Sequence, residues 1–386
     1  MIDVRAHLAR KPLLFDGGMG TYYKAKPGTE CEQGNLLDPA GVRKVHREYL
    51  AAGAEAIKTN TFGLPRMAAA QLPDWQALAR AGWKLAVEAA GETGAAVFAD
   101  LGPAPDTEAA PAGSIYTAVA GCFVEQGARN FLFETLSSDA GVLEAVQAIR
   151  ARVPDAFVLV SFAVLPDGYT REGMYSKDLV RRMTESGIVD AVGFNCVSAP
   201  GAMRTLVQQL GGSKLPLSVM PNAGYPVVTR TQVKYQGKPE YFAKELARIA
   251  AEGVRILGGC CGTTPAHIAA LRAALDSLPA VEKAAPAVQV STPEAPTVEK
   301  DDAFLRKLNA GKKVIAIELD SPKDADLTNY LAGAKRLQAA GADLLTIADC
   351  PIARARMDSS LVACRVHREL GLCTLPHMTC RDRNLN

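Results

Sequence analysis

The hydrophobic pattern alternates between short apolar runs, typical of buried strands, and longer amphipathic segments, typical of helices. The candidate strands lie within 13–16, 53–60, 96–100, 127–134, 157–162, 187–195, 215–220 and 253–257. Helical patterns between them include 41–52, 75–91, 140–153, 177–186 and 239–252. Several strands follow directly on a glycine that ends a helical segment, as at Gly53 and Gly253. The order is therefore strand, helix, strand throughout this part of the chain.

Strands that alternate with helices form a parallel sheet. Eight such units within residues 1–280 predict a (β/α)8 TIM barrel. A doubly wound open sheet is the alternative, but the chain lacks the glycine-rich dinucleotide fingerprint expected after its first strand. A TIM barrel places its functional residues at the carboxyl ends of the strands.

The composition changes after residue 280. Residues 281–302 are rich in proline and alanine and poor in large apolar side chains, which predicts a semi-extended linker. The strand and helix pattern then restarts, with strands at 313–319, 343–349 and 373–379 and helices at 328–340 and 359–370. Three strands cannot close a barrel. Residues 303–386 are therefore predicted to be the first βα units of a second, incomplete barrel.

Charge and cysteine content narrow the class of protein. The net charge is +2, and no apolar run is long enough to span a membrane, so neither nucleic acid nor membrane is an expected partner. The first residues are mixed and charged rather than those of a secretory leader. Nine cysteines without such a leader favour a reducing cytoplasm.

Two adjacent cysteines, Cys260 and Cys261, follow the eighth candidate strand, and a helix capped by Thr264 and Pro265 comes next. Cys196 ends the sixth candidate strand, so three thiols are expected to converge at one rim of the barrel. Cysteine thiolates bind zinc, and a catalytic zinc takes three protein ligands and keeps one open position. Ordinary buried thiols are the alternative. A disulfide between the adjacent cysteines is disfavoured, because Cα atoms about 3.8 Å apart are too close.

Three thiolates leave a zinc ion with little Lewis acidity, so the predicted chemistry is activation of a substrate thiol for S-alkylation rather than hydrolysis. A zinc hydrolase would use histidine or carboxylate ligands, and none of the histidines of the first domain (His7, His46 and His267) falls at a predicted strand end. A zinc-stabilised scaffold or partner-binding module remains the non-enzymatic alternative. Asp16 and Glu134, at two strand ends, can hold an ammonium group, and the amides of Gly17 and Gly18 can hold a carboxylate. A thiol-bearing amino acid fits these features.

The same residues carry a resemblance to a known family. Phe15-Asp-Gly-Gly-Met-Gly-Thr21, Lys58-Thr-Asn-Thr-Phe62, Glu134-Thr135, Gly193-Phe-Asn-Cys196, Pro221-Asn-Ala-Gly224 and Gly258-Gly-Cys-Cys-Gly-Thr-Thr-Pro265 resemble the homocysteine S-methyltransferases. The resemblance implies that Cys196, Cys260 and Cys261 bind Zn²⁺, which carries homocysteine as a thiolate. It places the amino-acid head group at Asp16 and Glu134, with Gly17, Gly18 and Thr61 nearby and Asn195 and Asn222 in support.

The last part of the chain resembles the start of methylenetetrahydrofolate reductase, a flavin-containing barrel. The matching motifs are Ile315-Ala-Ile-Glu318, Thr346-Ile-Ala-Asp349, Arg354-Ala-Arg-Met-Asp358 and Pro376-His-Met-Thr-Cys380. This resemblance implies Glu318 as a catalytic acid and Thr346 and His377 near FAD, which only a complete second domain would bind. The order of the two parts matches the bifunctional homocysteine S-methyltransferase/methylenetetrahydrofolate reductase proteins.

The methyl donor must carry an activated methyl group. Methyltetrahydrofolate acting through cobalamin, S-methylmethionine and betaine are all used within the resembling family. The reductase-like segment favours a folate-derived methyl by analogy.

Overall fold

The computed structural model describes residues 2–228, 233–235, 237–278, 303–350 and 356–378. The chain forms two compact units, one on each side of the segment 279–302. The predicted linker at 281–302 lies outside the described residues, as do Arg354 and Cys380 of the reductase-like motifs. The predicted domain limits therefore stay predictions. No helix in the described ranges combines the length and the apolarity needed to cross a membrane.

Ten short strands lie in the described residues of the first unit. They are β1 (Leu13–Leu14), β2 (Ala56–Lys58), β3 (Ala96–Leu101), β4 (Asn130–Leu136), β5 (Phe157–Phe162), β6 (Ala191–Asn195), β7 (Leu217–Met220), β8 (Pro226–Val228), β9 (Val233–Tyr235) and β10 (Ile256–Leu257). Strands β8 and β9 pair as an antiparallel hairpin, which the sequence analysis did not predict. The other eight strands form the parallel sheet that the hydrophobic pattern predicted.

The helices of this unit lie between the strands. They are α1 (Val4–Leu8), α2 (Met19–Tyr22), α3 (Gly34–Leu37), α4 (Pro39–Ala51), α5 (Leu64–Ala69), α6 (Trp75–Gly91), α7 (Ala112–Glu125), α8 (Val142–Arg152), α9 (Ser176–Ser186), α10 (Pro200–Leu210), α11 (Pro239–Ala251) and α12 (Pro265–Asp276). A single 3₁₀ turn, Cys31–Gln33, precedes α3. Helix α12 begins at Pro265 after Thr264, as predicted.

The parallel sheet closes on itself. Its strand order is β1-β10-β7-β6-β5-β4-β3-β2, and a parallel bridge between Phe15 and Ala56 joins the two ends. The Asp16 amide donates to the Ala56 carbonyl at 3.0 Å, and the Glu55 amide donates to the Leu14 carbonyl at 2.7 Å. The predicted TIM barrel is therefore confirmed. The first strand is shorter than predicted, because Phe15 and Asp16 belong to the closing bridge.

The barrel strands bury two different faces. One set of strand side chains packs with the surrounding helices in the larger apolar cluster. The alternate set forms a smaller cluster that fills the barrel and includes Phe15, Phe98, Leu132 and Ile256, with α1 packed against it through Val4 and Leu8. The rings of Phe15 and Phe98 lie 4.7 Å apart. The interior is thus a packed core, and a pocket can form only beyond it, at the strand ends.

The recurring glycine between helix and strand has a conformational cause. Gly53 and Gly253 have φ angles of +98° and +99°, in the left-handed region that glycine adopts without steric cost. Each of these glycines reverses the direction of the chain after a helix, so that the next strand can begin. The glycines therefore set where β2 and β10 begin.

The second unit is a small parallel α/β sheet. Its elements are α13 (Ala303–Asn309), β11 (Ala316–Glu318), α14 (Thr328–Ala339), β12 (Leu344–Ile347), α15 (Ser359–Leu370) and β13 (Cys373–Pro376). The strands pair in the order β11-β12-β13. Its core includes Tyr330, Leu345, Ile347, Val362 and Val366. The predicted strands and helices are thus present in the described residues.

We expect His46 to make the barrel sensitive to acid. His46 lies on α4 with no exposed surface, and neither ring nitrogen has a hydrogen-bond partner among the described residues. Burial lowers its pKa from 6.5 to about 4, so the unfolded chain binds a proton that the folded chain excludes. Between pH 7 and pH 5 this residue should lower the free energy of unfolding by about 2 kcal/mol.

The measurement is denaturant unfolding of the wild-type protein and of His46→Leu at both pH values. The variant should lose that part of the pH dependence. An equal decrease in stability in the two proteins would contradict the assignment to His46.

Candidate metal and substrate site

The inward side chains of the barrel change from apolar to polar at the carboxyl ends of its strands. Successive residues of a strand face opposite sides, so residues two or four positions apart share a face. Beyond the apolar cluster inside the barrel, the inward positions are polar and buried: Lys58, Asp100, Glu134, Ser161 and Asn195. The floor of the pocket is therefore apolar and its wall is polar.

Three cysteines meet at this end of the barrel. Cys196 follows β6, and Cys260 and Cys261 follow β10 after two glycines. Their sulfur atoms all lie within 4.8 Å of one another, and the Sγ atoms of Cys196 and Cys261 are 3.8 Å apart. No other group of three potential metal ligands occurs within the ranges that the structure describes. The convergence expected from strand counting is present.

The spacing of the sulfur atoms fits a tetrahedral zinc ion. Zinc–sulfur bonds of about 2.3 Å place two ligand sulfurs of a tetrahedron about 3.8 Å apart. Hydrogen bonds from Cys196 and Cys260 lower the pKa of Cys261 to about 3, so the cluster already favours one thiolate. The donor set and its spacing are therefore suited to Zn²⁺, with Cys260 buried and the other two sulfurs half-buried.

The loop after β7 holds the two cysteine segments together. The Cys196 amide donates to the Met220 carbonyl at 3.1 Å, and the Cys260 amide donates to the Pro221 carbonyl at 2.9 Å. Ala223 donates its amide to the Cys261 carbonyl at 2.9 Å. Cys196 has a φ angle of +59°, a strained value for a residue with a side chain. Backbone hydrogen bonds thus hold the two cysteine-bearing segments next to each other.

A buried ion pair lies beside the cysteines. The Nζ atom of Lys58 is 3.4 Å from Oδ1 of Asp16 and donates to the Gly259 carbonyl at 3.2 Å. The Lys58 amide donates to Oδ2 of Asp16 at 3.0 Å. Burial alone would lower the pKa of Lys58, but the negative charges of Asp16 and Glu134 outweigh it, so the pKa lies above its ordinary value. Lys58 is therefore a permanent buried cation.

Two more carboxyl groups, Asp100 and Glu134, complete the wall. Both are buried, and burial is the main cause that raises the pKa of each above its ordinary value. They line a pocket of about 280 Å³ together with Lys58 and all three cysteines. The turn at Gly17 and Gly18 lines the same pocket. The pocket combines soft metal ligands with an excess of acidic groups.

Comparison with known proteins agrees with this arrangement. Residues 13–275 match the sequence profile of the family described as "Homocysteine S-methyltransferase". The chain belongs to the homocysteine S-methyltransferase family. The matched residues span all eight strands of the barrel sheet.

Curated relatives include the methionine synthases of Mycobacterium tuberculosis and Mycobacterium leprae. They are 32% identical over 312 residues and 31% identical over 302 residues, which is 73% and 71% of this chain. The chain spans only about a quarter of the length of these relatives, 26% and 25%. Among solved structures, the oxidised form of the homocysteine methyltransferase MmuM from Escherichia coli is 25% identical with a TM-score of 0.58, over 71% of this chain and 99% of that one.

Within this family member, Asn195 organises the acidic side of the pocket. Its side-chain amide donates to Thr135 Oγ1 at 2.8 Å and to Glu134 Oε2 at 3.3 Å. Its carbonyl oxygen accepts from the Thr135 amide and from Ser161 Oγ, both at 2.9 Å. Asn195 has no exposed surface. Its contacts are those of a residue that positions Glu134.

The remaining predicted substrate residues are Gly17, Gly18, Thr61 and Asn222. Thr61 is buried, and its hydroxyl donates to the Asp100 carbonyl at 2.8 Å. The Gly18 amide already donates to Thr263 Oγ1 at 2.9 Å. Asn222 is buried after β7, and its Oδ1 has no hydrogen-bond partner in the described residues. Gly17 and Thr61 line the pocket.

The three residues predicted to lie near flavin sit at one edge of the second unit. Glu318 pairs in register with Thr346 on the neighbouring strand. His377 follows β13, and its amide donates to the Ile347 carbonyl at 2.9 Å. The three therefore lie at the carboxyl ends of β11, β12 and β13, with Glu318 and His377 exposed.

Lys58 and Tyr235 are two residues near the cysteines that the sequence pattern did not predict as site residues. Lys58 could have been recognised from the sequence, because a lysine at an inward position of a buried strand indicates a functional residue. Tyr235 lies on the hairpin, its hydroxyl bonds Cys261, and a Cβ at Gly262 would come 2.2 Å from its Cγ. The hairpin segment has no hydrophobic periodicity, so nothing in the sequence indicated that Tyr235 lies near the cysteines.

The close approach of two loops generates a prediction for Gly18. A Cβ at this position would lie 2.6 Å from the Cys260 carbonyl oxygen, so Gly18→Ala must displace the loop that carries the cysteines. We expect the free energy of unfolding to fall by about 1–3 kcal/mol and zinc affinity to decrease. Chemical denaturation and competition with a zinc chelator measure the two effects.

Gly20→Ala is the matched control, because nothing lies within 4 Å of its added Cβ. Equal behaviour of the two variants would show that the contact between Gly18 and Cys260 is unimportant.

Proposed function

We propose that the barrel transfers a methyl group to the thiol of homocysteine and produces methionine, with zinc held by Cys196, Cys260 and Cys261. The observation that carries this proposal is the meeting of three sulfur atoms within 4.8 Å beside an acidic pocket. The names of the relatives support it, since they are methionine synthases and a homocysteine methyltransferase. One solved form of the E. coli enzyme is metallated. It is 24% identical with a TM-score of 0.56 over 68% of this chain, and this similarity shows a shared fold only.

The protein groups have distinct tasks in this reaction. Zinc, when bound, lowers the pKa of an incoming thiol so that the substrate reacts as a thiolate. Asp16 and Glu134 would supply the negative charge that favours the substrate ammonium group, and the turn at Gly17 and Gly18, which lines the pocket, would take its carboxylate. Asn195 holds Glu134 in place.

The methyl step requires a donor in which the methyl group is activated. The substrate sulfur forms a bond to the methyl carbon, and the bond between that carbon and the group that carries it breaks with its electron pair leaving on that group. We propose a folate-derived donor, with S-methylmethionine and betaine as the alternatives. Methionine formation from homocysteine with each donor in turn distinguishes them.

For the second unit we propose the start of a methylenetetrahydrofolate reductase-like domain. The motifs at Glu318, Thr346 and His377 support it, and these residues share one sheet edge. FAD would bind there only in a complete domain. A cluster of three free thiols at the proposed metal site is consistent with a reducing cytoplasm, which we propose as the location.

The zinc role is tested with Cys260→Ala. We expect the wild-type chain to hold one zinc ion and the variant to lose it, because two thiolates cannot complete the site. Methionine formation should fall by on the order of 100-fold or more, since losing even a supporting group costs 10–100-fold. Elemental analysis and the methionine assay give the two readouts.

Cys122→Ala is the control, because this half-buried cysteine lies on α7 away from the cluster. Full zinc content and full activity in Cys260→Ala would remove the proposal. If removal of zinc destabilises the wild-type chain, but that chain forms no methionine with any donor, the scaffold alternative is favoured.

A further inference from the structure

Two loops of the pocket lie side by side because their strands are neighbours. Strands β1 and β10 pair in parallel, so the segments that follow them leave the same end of the barrel together. We call residues 16–21, which include the turn at Gly17 and Gly18, the turn loop, and residues 258–263, which include the adjacent cysteines, the metal loop. Residues of both loops line the pocket. The distance between the two loops therefore sets how far the turn lies from the metal ligands.

Thr263 joins the two loops through a single hydroxyl group. Its Oγ1 accepts a hydrogen bond from the Gly18 amide at 2.9 Å and donates one to the Cys260 carbonyl at 2.6 Å. The Thr263 amide donates to that same carbonyl at 3.1 Å. Thr263 has no exposed surface, so water does not compete for its hydroxyl. One side chain thus holds the backbone of a metal ligand against the backbone of the turn.

Two further hydrogen bonds join the loops on either side of this link. The Gly259 amide donates to the Asp16 carbonyl at 3.0 Å, and the Gly262 amide donates to Thr21 Oγ1 at 2.9 Å. Thr263 supplies the link between them. The turn loop is thus bonded to the metal loop at its beginning, its middle and its end.

Close packing leaves little room for movement around the Thr263 hydroxyl. A Cβ at Gly17 would lie 2.6 Å from Thr263 Oγ1, and a Cβ at Gly259 would lie 2.5 Å from it. The buried Tyr49 hydroxyl donates to the Thr263 carbonyl at 2.9 Å and lies 3.4 Å from the Gly18 carbonyl. Glycine has more backbone freedom than other residues, so a loop rich in glycine needs such contacts to keep one conformation.

We propose that Thr263 sets the span between the zinc-binding sulfurs and the turn, and thereby selects the substrate by its length. This inference rests on the proposed function, in which the substrate thiol reaches the metal and the other end of the amino acid reaches the turn. A fixed span fits homocysteine and disfavours cysteine, which is shorter by one methylene group. Thr263 is not one of the described residues that line the pocket, so it is a positioning residue that acts through the two loops.

The test compares the affinities of the zinc-loaded chain for L-homocysteine and L-cysteine by calorimetry. The zinc content after each titration shows whether the metal stayed on the protein. The wild-type chain should prefer homocysteine by about tenfold or more, the discrimination that one methylene group supplies in a fitted pocket. Thr263→Val replaces the hydroxyl by a methyl group of similar size. Its preference should fall by about threefold to tenfold, because both hydrogen bonds of the hydroxyl are lost. Thr263→Ser keeps the hydroxyl and should keep the preference.

Thr117→Val is the matched control. Thr117 lies on α7, and its buried Oγ1 has no hydrogen-bond partner among the described residues, so this substitution breaks no such bond. It should retain the wild-type preference. A merely structural role for Thr263 would weaken both ligands by the same factor and leave their ratio unchanged. An unchanged ratio in Thr263→Val, or an equal loss of the ratio in Thr263→Ser, would overturn the inference.

Tyr49→Phe gives the same test if Thr263→Val does not retain zinc. It removes the hydroxyl that contacts both loops but keeps Thr263, so the ratio should fall in the same direction by a smaller factor. An unchanged ratio would again contradict the inference. If the wild-type chain binds homocysteine without preferring it to cysteine, the inference fails and the proposed function stands. If it binds neither, both fail.

Discussion

The site depends on one constraint: three sulfur atoms from two distant loops must lie at the spacing of a tetrahedral metal. The separation of 3.8 Å between Cys196 and Cys261 has this value. Barrel closure makes it possible, because β6 and β10 are separated by a single strand, β7, in the closed sheet. The loop after β7 then bonds both cysteine segments. The metal site is thus a consequence of strand order, supported by backbone hydrogen bonds.

The second constraint is electrostatic. Burying charges is costly unless they are paired, yet Glu32, Asp100 and Glu134 are all buried in the pocket lining. Buried Asp16 lies beside Lys58, the buried lysine of that lining. Under the proposed function, an incoming ammonium group would supply positive charge to this acidic pocket. Lys58 pairs with Asp16, and both Asp16 Oδ1 and Asp100 Oδ1 have no hydrogen-bond partner among the described residues.

Much of this could be predicted from the sequence, for reasons that are physical. The apolar runs and the glycines that reverse the chain, such as Gly53 and Gly253, report strand order directly, and strand order places Cys196 near Cys260. Side-chain pairing is a different matter. The pattern shows that Asp16 and Glu134 lie at strand ends, but not that Lys58 reaches Asp16 or that Asn195 bonds Glu134. Those contacts depend on register and side-chain conformation across neighbouring strands. The hairpin with Tyr235 was missed because short, irregular strands lack periodicity.

The central claim is that these three sulfurs hold a zinc ion that a substrate thiol can approach. X-ray absorption at the zinc edge, with and without homocysteine, tests it most directly. The account predicts three sulfur neighbours at about 2.3 Å in the free protein and four when homocysteine is added. A zinc environment with fewer than three sulfurs, or one that homocysteine leaves unchanged, would contradict it.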